Sequence, residues 1–177
     1  MGQRTFISTK DLKIRLADLS EIEIALSLLK DAAIWLKDKG IDYWQNWISP
    51  VDFYLDWIKE GFDLHQFYFV LNDSGVIGMF RMQWSDEKFW GIQDKTAGYI
   101  HSFTIEKNYH GQDLGREILS MIEDVCKSNN KWYLRLDCGV DIERLCKYYE
   151  DNGFNPKGEV SIDIYRLRLY EKELFDD

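Results

Sequence analysis

The stretch from Gly98 to Cys126 constrains the fold more tightly than any other part of the chain. Gly98 to Ile105 is rich in β-branched and aromatic residues and predicts a strand. Lys107-Asn108-Tyr109-His110 predicts a turn. Gly111-Gln112-Asp113-Leu114-Gly115-Arg116 then opens a helix that sets Leu114, Ile118, Met121, Ile122 and Val125 on one face. A strand, a glycine turn and a helix in direct succession point unpaired backbone N–H groups past the helix start. With the helix dipole, these groups form an anion site. Gly111 and Gly115 let backbone approach a phosphate with no Cβ in the way, and Arg116 can add a charge-assisted contact. The spacing is neither GxGxxG nor a P-loop, because no Lys-Ser/Thr pair follows Gly115, so nucleotide hydrolysis is not supported.

The remaining segments read as a mixed α/β pattern. Lys13 to Ala17 alternates like a short strand, and Asp18 or Ser20 can cap the helix that follows. Ile22, Leu26, Leu29, Ala33 and Leu36 recur at helical spacing over about five turns, with Gly40 as a stop. Ile41 to Phe62 is dense in aromatic residues. Val51, Tyr54, Leu55 and Ile58 predict a second short helix, with Ser49 or Asp52 as caps. The rings either fill a core or line a binding cleft, and the core is the favoured assignment for most of them. Gln66–Leu71 and Val76–Trp84 predict an antiparallel hairpin around Asn72-Asp73-Ser74-Gly75. Ser85 to Thr96 reads as a loop. Trp132–Cys138 reads as a strand, Ile142–Asn152 as a helix closed by Gly153, and Val160–Leu169 as one strand or two around Asp163. Alternation of helices and hairpins implies an α/β sandwich around one sheet.

Composition narrows the partners. Lys and Arg number 22 against 31 Asp and Glu, for a formal net charge of −9, and the basic residues are scattered. A nucleic-acid partner is not expected from such a chain. An acidic surface can attract a cationic amine, or can simply maintain solubility. Cys126, Cys138 and Cys146 form no CxxC pair and have no metal-ligand spacing with the three histidines. No metal is therefore expected, and an odd number of cysteines without a leader fits the cytoplasm. Met1 to Lys10 has no apolar core, and no apolar run approaches the ~18 residues of a membrane span. Residues 1–177 are expected to form one domain.

These segments together resemble the GCN5-related N-acetyltransferase (GNAT) superfamily. The family's pyrophosphate loop, Arg/Gln-x-x-Gly-x-Gly/Ala, is similar to His110-Gly111-Gln112-Asp113-Leu114-Gly115, preceded by Phe103-Thr104-Ile105. His110 stands where Arg or Gln is usual, and Asp113 where the first motif glycine is usual. Leu145 to Phe154, Leu-Cys-Lys-Tyr-Tyr-Glu-Asp-Asn-Gly-Phe, resembles the Leu-Tyr-Glu-Lys-x-Gly-Phe signature, with Ile142 in place of a frequent Asn. The resemblance spans Lys13 to Leu169. It implies a mixed, mostly antiparallel sheet flanked by helices, with two central parallel strands splayed apart, at Gly98–Ile105 and Trp132–Cys138.

The resemblance also implies a chemistry: direct transfer of an acetyl group from acetyl-CoA to a primary amine. Backbone at Phe103, Thr104 and Ile105 is expected to pair with the pantetheine, and His110 through Arg116 to hold the pyrophosphate. Tyr149 is expected beside the sulfur as the acid, with Tyr148 the weaker candidate, and His101 as the base. The acceptor is expected to be a small-molecule amine, cationic if the acidic chain selects it, with no membrane partner and a monomer or homodimer as the assembly. Asp113 and Ile142 favour the alternative, a non-catalytic CoA-binding or interaction domain of the same fold.

Overall fold

The computed structural model describes residues 7–9 and 11–175. In chain order the elements are β1 (Ile7–Ser8), β2 (Lys13–Leu16), α1 (Ile22–Asp38), α2 (Asp52–Asp63), β3 (Phe67–Asn72) and β4 (Gly75–Gln83). They continue as α3 (Glu87–Trp90), β5 (Ala97–Ile105), α4 (Leu114–Ser128), β6 (Tyr133–Gly139), α5 (Glu143–Asp151), β7 (Asn155–Ile162) and β8 (Tyr165–Glu173). The strand order is β1-β2-β3-β4-β5-β6-β8-β7. Pairing is antiparallel in β1–β2, β2–β3, β3–β4, β6–β8 and β7–β8, and parallel in β5–β6. This is the mixed, mostly antiparallel α/β sheet the resemblance implied. Of the opening stretch Met1 to Lys10, residues 1–6 and Lys10 lie outside the described residues.

The chain forms two compact units, 1–81 with 102–121 and 82–101 with 122–177. In the first, Asp18 starts the helical region with a capping box: its carboxylate accepts from the Ser20 N–H, while Glu21 accepts from the Asp18 N–H. Arg15 holds the same Glu21 in a two-pronged contact of 2.7 and 2.6 Å. The guanidinium depresses the Glu21 carboxyl below its usual range. α1 buries Ala25, Leu29 and Ala33, four residues apart, against Phe62 of α2 and Phe67 and Phe69 of β3. Of the aromatic cluster, Trp47 is buried in this core, and Trp44, Tyr54 and Trp57 are packed on it. Phe53 is exposed.

Two local expectations change here. α2 is preceded by Val51 in extended conformation, with no side-chain cap, in place of Ser49 or Asp52. Asp52 is instead the first helical residue, where its charge complements the dipole. Gly78 on β4 is held by close approach, because a Cβ there would stand 2.7 Å from the Thr104 carbonyl oxygen. Arg81, at the end of the same strand, is buried. It donates to Gln66 Oε1 at 2.9 Å and to the Trp57 carbonyl at 3.0 Å, and stacks on the Trp57 ring at 4.3 Å.

In the second unit, β8 pairs along the whole length of β6, and β7 folds back on β8. The expected strand Val160–Leu169 is thus two longer strands, broken at Asp163, which takes a left-handed φ of 51°. The segment Ser85 to Thr96 is not all loop either, since Glu87–Trp90 forms the short helix α3. Its aromatic residues Phe89 and Trp90 pack on His101 and Tyr99, contacts that local polarity does not reveal.

Replacing Arg81 by Met is expected to destabilise the protein by about 2–4 kcal/mol, because its charge-assisted hydrogen bonds are lost together with its stacking on Trp57. Urea unfolding measures this. A change under about 0.5 kcal/mol, the ordinary range for a surface substitution, would contradict the role given to Arg81.

Candidate active site

In the first unit the end of β5, a tight 3-10 turn at Lys107–Tyr109 and the start of α4 carry the predicted anion loop. Thr104 is buried, Phe103 and Ile105 are half-buried, and Gly111, Gln112, Asp113 and Arg116 are exposed. The His110 ring is anchored by Nε2 to the Ile105 carbonyl at 2.8 Å and by an edge contact with Trp35. Gln112 reaches back to the Asn108 carbonyl at 3.0 Å. Leu114 and Gly115 belong to the first turn of α4, whose leading N–H groups have no acceptor within the helix.

Two residues of this loop need the left-handed region: Gly111 at φ 77° and Asp113 at φ 61°. The second explains the motif. Asp113 sits where the family has glycine, the backbone there is left-handed, and aspartate is among the few side chains that tolerate it. Its carboxylate is 75% exposed and lies 3.8 Å from Arg116 Nε, so it faces solvent and a cation. A carboxylate turned to solvent repels an anion at the helix start less than one turned inward.

In the second unit, β5 and β6 pair through only three residue pairs, ending at Tyr99 and Arg135, although β5 continues to Ile105 and β6 to Gly139. Side chains take over on one face. The Arg135 guanidinium donates to the Tyr99 hydroxyl at 2.7 Å and to Glu171 at 2.7 Å. Two residues further along each strand, His101 Nδ1 lies 3.3 Å from Asp137 Oδ2. His101 Nε2 donates to Asp86 Oδ2 at 2.9 Å. Asp86 precedes α3 but gives that helix no side-chain cap, since its carboxylate is turned to His101. Burial opposes charge on the ring, but Asp137 and Asp86 outweigh it and raise the pKa to about 9. His101 is therefore an imidazolium at neutral pH. Ser102, next in the chain, holds a left-handed φ of 52°.

Tyr149 lies on α5, only 6% exposed, with its ring against Phe154 and Tyr170; Tyr148 is half-buried. Cys126, Cys138 and Cys146 are all free and buried. Burial pushes the Cys126 thiol up to about 12, and raises that of Cys138, whose Sγ is 3.6 Å from Cys146 Sγ. Such thiols serve packing rather than nucleophilic chemistry. Ile142 precedes α5 and, having no polar side chain, leaves that helix uncapped.

The predicted residues thus fall into two groups: Phe103 through Arg116 in the first unit, His101 and Tyr149 in the second. Sequence reasoning missed Asp86 and Asp137 as partners of His101. A signal for Asp137 was present, because Arg135 and Asp137 are charged residues two apart in an otherwise apolar strand. Asp86 lay in a polar segment with nothing to distinguish it.

The description "Acetyltransferase (GNAT) family" matches residues 25–154. An uncharacterized N-acetyltransferase, YesJ, of Bacillus subtilis (strain 168) is 27% identical over 161 residues, covering 87% of this chain and 86% of that one. A GNAT-family acetyltransferase from Listeria monocytogenes has the same fold, with a TM-score of 0.74 and 23% identity over 96% of this chain and 100% of its own. The yncA protein of Salmonella typhimurium, solved with its cofactor acetyl-CoA, gives a TM-score of 0.61 at 15% identity over 95% and 96% of the two chains. The two solved structures share the fold of this chain. The chain belongs to the acetyltransferase (GNAT) family.

The raised His101 pKa has a stability consequence. The folded value, about 9, exceeds the unfolded value of about 6.5. The contribution is complete below pH ~6.5 and is lost as pH rises through about 9. Urea unfolding across that window should show stability falling in the wild type, with a smaller fall in His101→Gln. Equal slopes would remove the charged-ring assignment.

Proposed function

We propose that this protein is an acetyl-CoA-dependent N-acetyltransferase acting on the primary amine of a small molecule. The observation that carries the reading is the left-handed backbone at Asp113, at the glycine position of the pyrophosphate-loop motif and at the start of a 15-residue helix. An outward carboxylate and a first helical turn of N–H donors fit a diphosphate. Gln112 through Gly115 would hold it with backbone N–H groups, flanked by His110 and Gly111, with Arg116 adding charge. Main-chain groups of Phe103, Thr104 and Ile105 would hold the pantetheine arm as an added strand does. The CoA-bound Salmonella relative supports this co-substrate.

Acetyl-CoA supplies a thioester carbonyl, at which a C–N bond forms and the C–S bond breaks. Tyr149 would give its phenol proton to the departing sulfur. His101 would take the proton of the nitrogen, which it can do only when its ring is neutral. Activity should therefore rise with pH toward about 9. The net charge of −9 favours a cationic acceptor.

The same reading treats residues 1–177 as one acetyltransferase domain, since the family match crosses both compact units. It works in the cytoplasm, consistent with three free cysteines, as a monomer or homodimer. Among the described residues no helix is long and apolar enough to cross a membrane.

Calorimetric titration with acetyl-CoA, followed by thiol release with a panel of amines and polyamines, tests the proposal. Tyr149→Phe is expected to lower kcat about a hundredfold or more while leaving acetyl-CoA binding intact. Asp113→Gly should tighten acetyl-CoA binding about two- to fivefold by removing a charge from the helix start. Binding without any thiol release would instead assign the non-catalytic CoA-binding reading, which the uncapped Ile142 favours.

A further inference from the structure

We infer that Asp86 is a positioning residue, which keeps a proton on Nε2 of His101 and leaves Nδ1 as the nitrogen that gains and loses one. For its meaning in catalysis the inference rests on the acetyltransferase reading, in which His101 takes the acceptor's proton. All the residues concerned belong to the second unit.

The two carboxylates on the ring are not equivalent. Asp86 Oδ2 lies 2.9 Å from Nε2 in an aligned hydrogen bond. A carboxylate can only accept, so Nε2 is the donor. Asp137 Oδ2 lies 3.3 Å from Nδ1, a charge contact without that alignment. A neutral imidazole carries one N–H, and its proton stays where it makes the better bond to an anion. Here that place is Nε2. A ring whose N–H is tied to a carboxylate keeps the lone pair of its other nitrogen for proton transfer. Asp137 then acts on Nδ1 through charge, favouring protonation there without setting the tautomer.

The Asp86 side chain does not serve its own helix. It stands at the cap position of α3 but makes no side-chain bond to it. Other contacts place α3: Phe89 against the imidazole at 4.8 Å, Trp90 against Tyr99 at 6.0 Å, and the Arg135 guanidinium 4.8 Å over the Trp90 ring. These survive removal of the Asp86 carboxylate. The charges facing His101 are Asp86 from the α3 segment and Asp137 from β6, while Phe89 presents an apolar ring. Arg135, also on β6, is engaged by Glu171 at 2.7 Å, and Lys157 of β7 contacts the same Glu171 at 3.0 Å.

The test uses the full chain, and its first part needs no turnover. Long-range proton–nitrogen correlation spectra report which ring nitrogen carries the proton. Single variants assign the signals of the three histidines, His65, His101 and His110. In the wild type, above the His101 titration at about 9, we expect Nε2–H to exceed Nδ1–H about tenfold or more. Asp86→Ala should move the proton toward Nδ1 and lower the midpoint by about one to three pH units. Asp137→Asn should lower the midpoint too, but keep Nε2–H.

The second part is a pH–rate profile with the panel amine that the wild type turns over fastest. In Asp86→Ala kcat should fall about a hundredfold and the acid limb should move to lower pH. Acetyl-CoA affinity should stay within about twofold of the wild type. Circular dichroism checks the fold of each variant, and the wild-type tautomer decides the question even if a variant fails to fold. A wild-type ring neutral as Nδ1–H overturns the inference. So does a folded Asp86→Ala that keeps the wild-type tautomer, or the wild-type kcat and pH profile. The expected tautomers without thiol release from any amine would sink the acetyltransferase reading and leave the role of Asp86 on the ring standing.

Discussion

Parallel strands β5 and β6 share a backbone ladder for only three residue pairs, and much of the second unit is organised around where that ladder ends. Around that point side chains on one face link the two strands: Tyr99 with Arg135, then His101 with Asp137, with Asp86 reaching in from the α3 segment. The result is a short polar column in an apolar interior. Its charge state is decided by neighbours rather than by solvent. Buried alone, a histidine would be neutral; between two carboxylates it stays protonated.

The same economy of local strain marks the anion loop of the first unit. Asp113 and Ser102 both adopt left-handed backbone, which costs free energy for residues other than glycine and survives where its surroundings impose it. At Asp113 the conformation presents the N–H groups of a helix start outward while the carboxylate turns away to Arg116. A substitution that looks disabling in one dimension is accommodated because the side chain can point to solvent. Ser102 follows His101 directly, so the strained residue lies beside the residue whose ring is most tightly held.

Much of the fold was legible because periodicity and turn chemistry speak directly to local structure. The strand–glycine turn–helix run, the helix ending at Gly40 and the hairpin at Asn72–Gly75 were read from residues alone and recur in the structure. The misreadings have local causes. α3 was hidden because four residues are too few to show a helical period. β7 was hidden because it is an exposed strand with Pro156 and Gly158 in it, which resemble loop residues. Val51 was not expected before α2 because it offers no polar cap.

The candidate site divides along the same line. Sequence by itself determined the family, the candidate anion loop with its glycine-like position at Asp113, and the candidacy of His101 and Tyr149, since each depends on residue type at a fixed spacing. Only the tertiary structure decided the charge of His101 and the part played by Asp86 and Asp137. Those properties come from groups 15 and 36 residues away in the chain, brought to about 3 Å by folding. Electrostatic energy depends on distance in space and on burial, and neither is written in the order of residues.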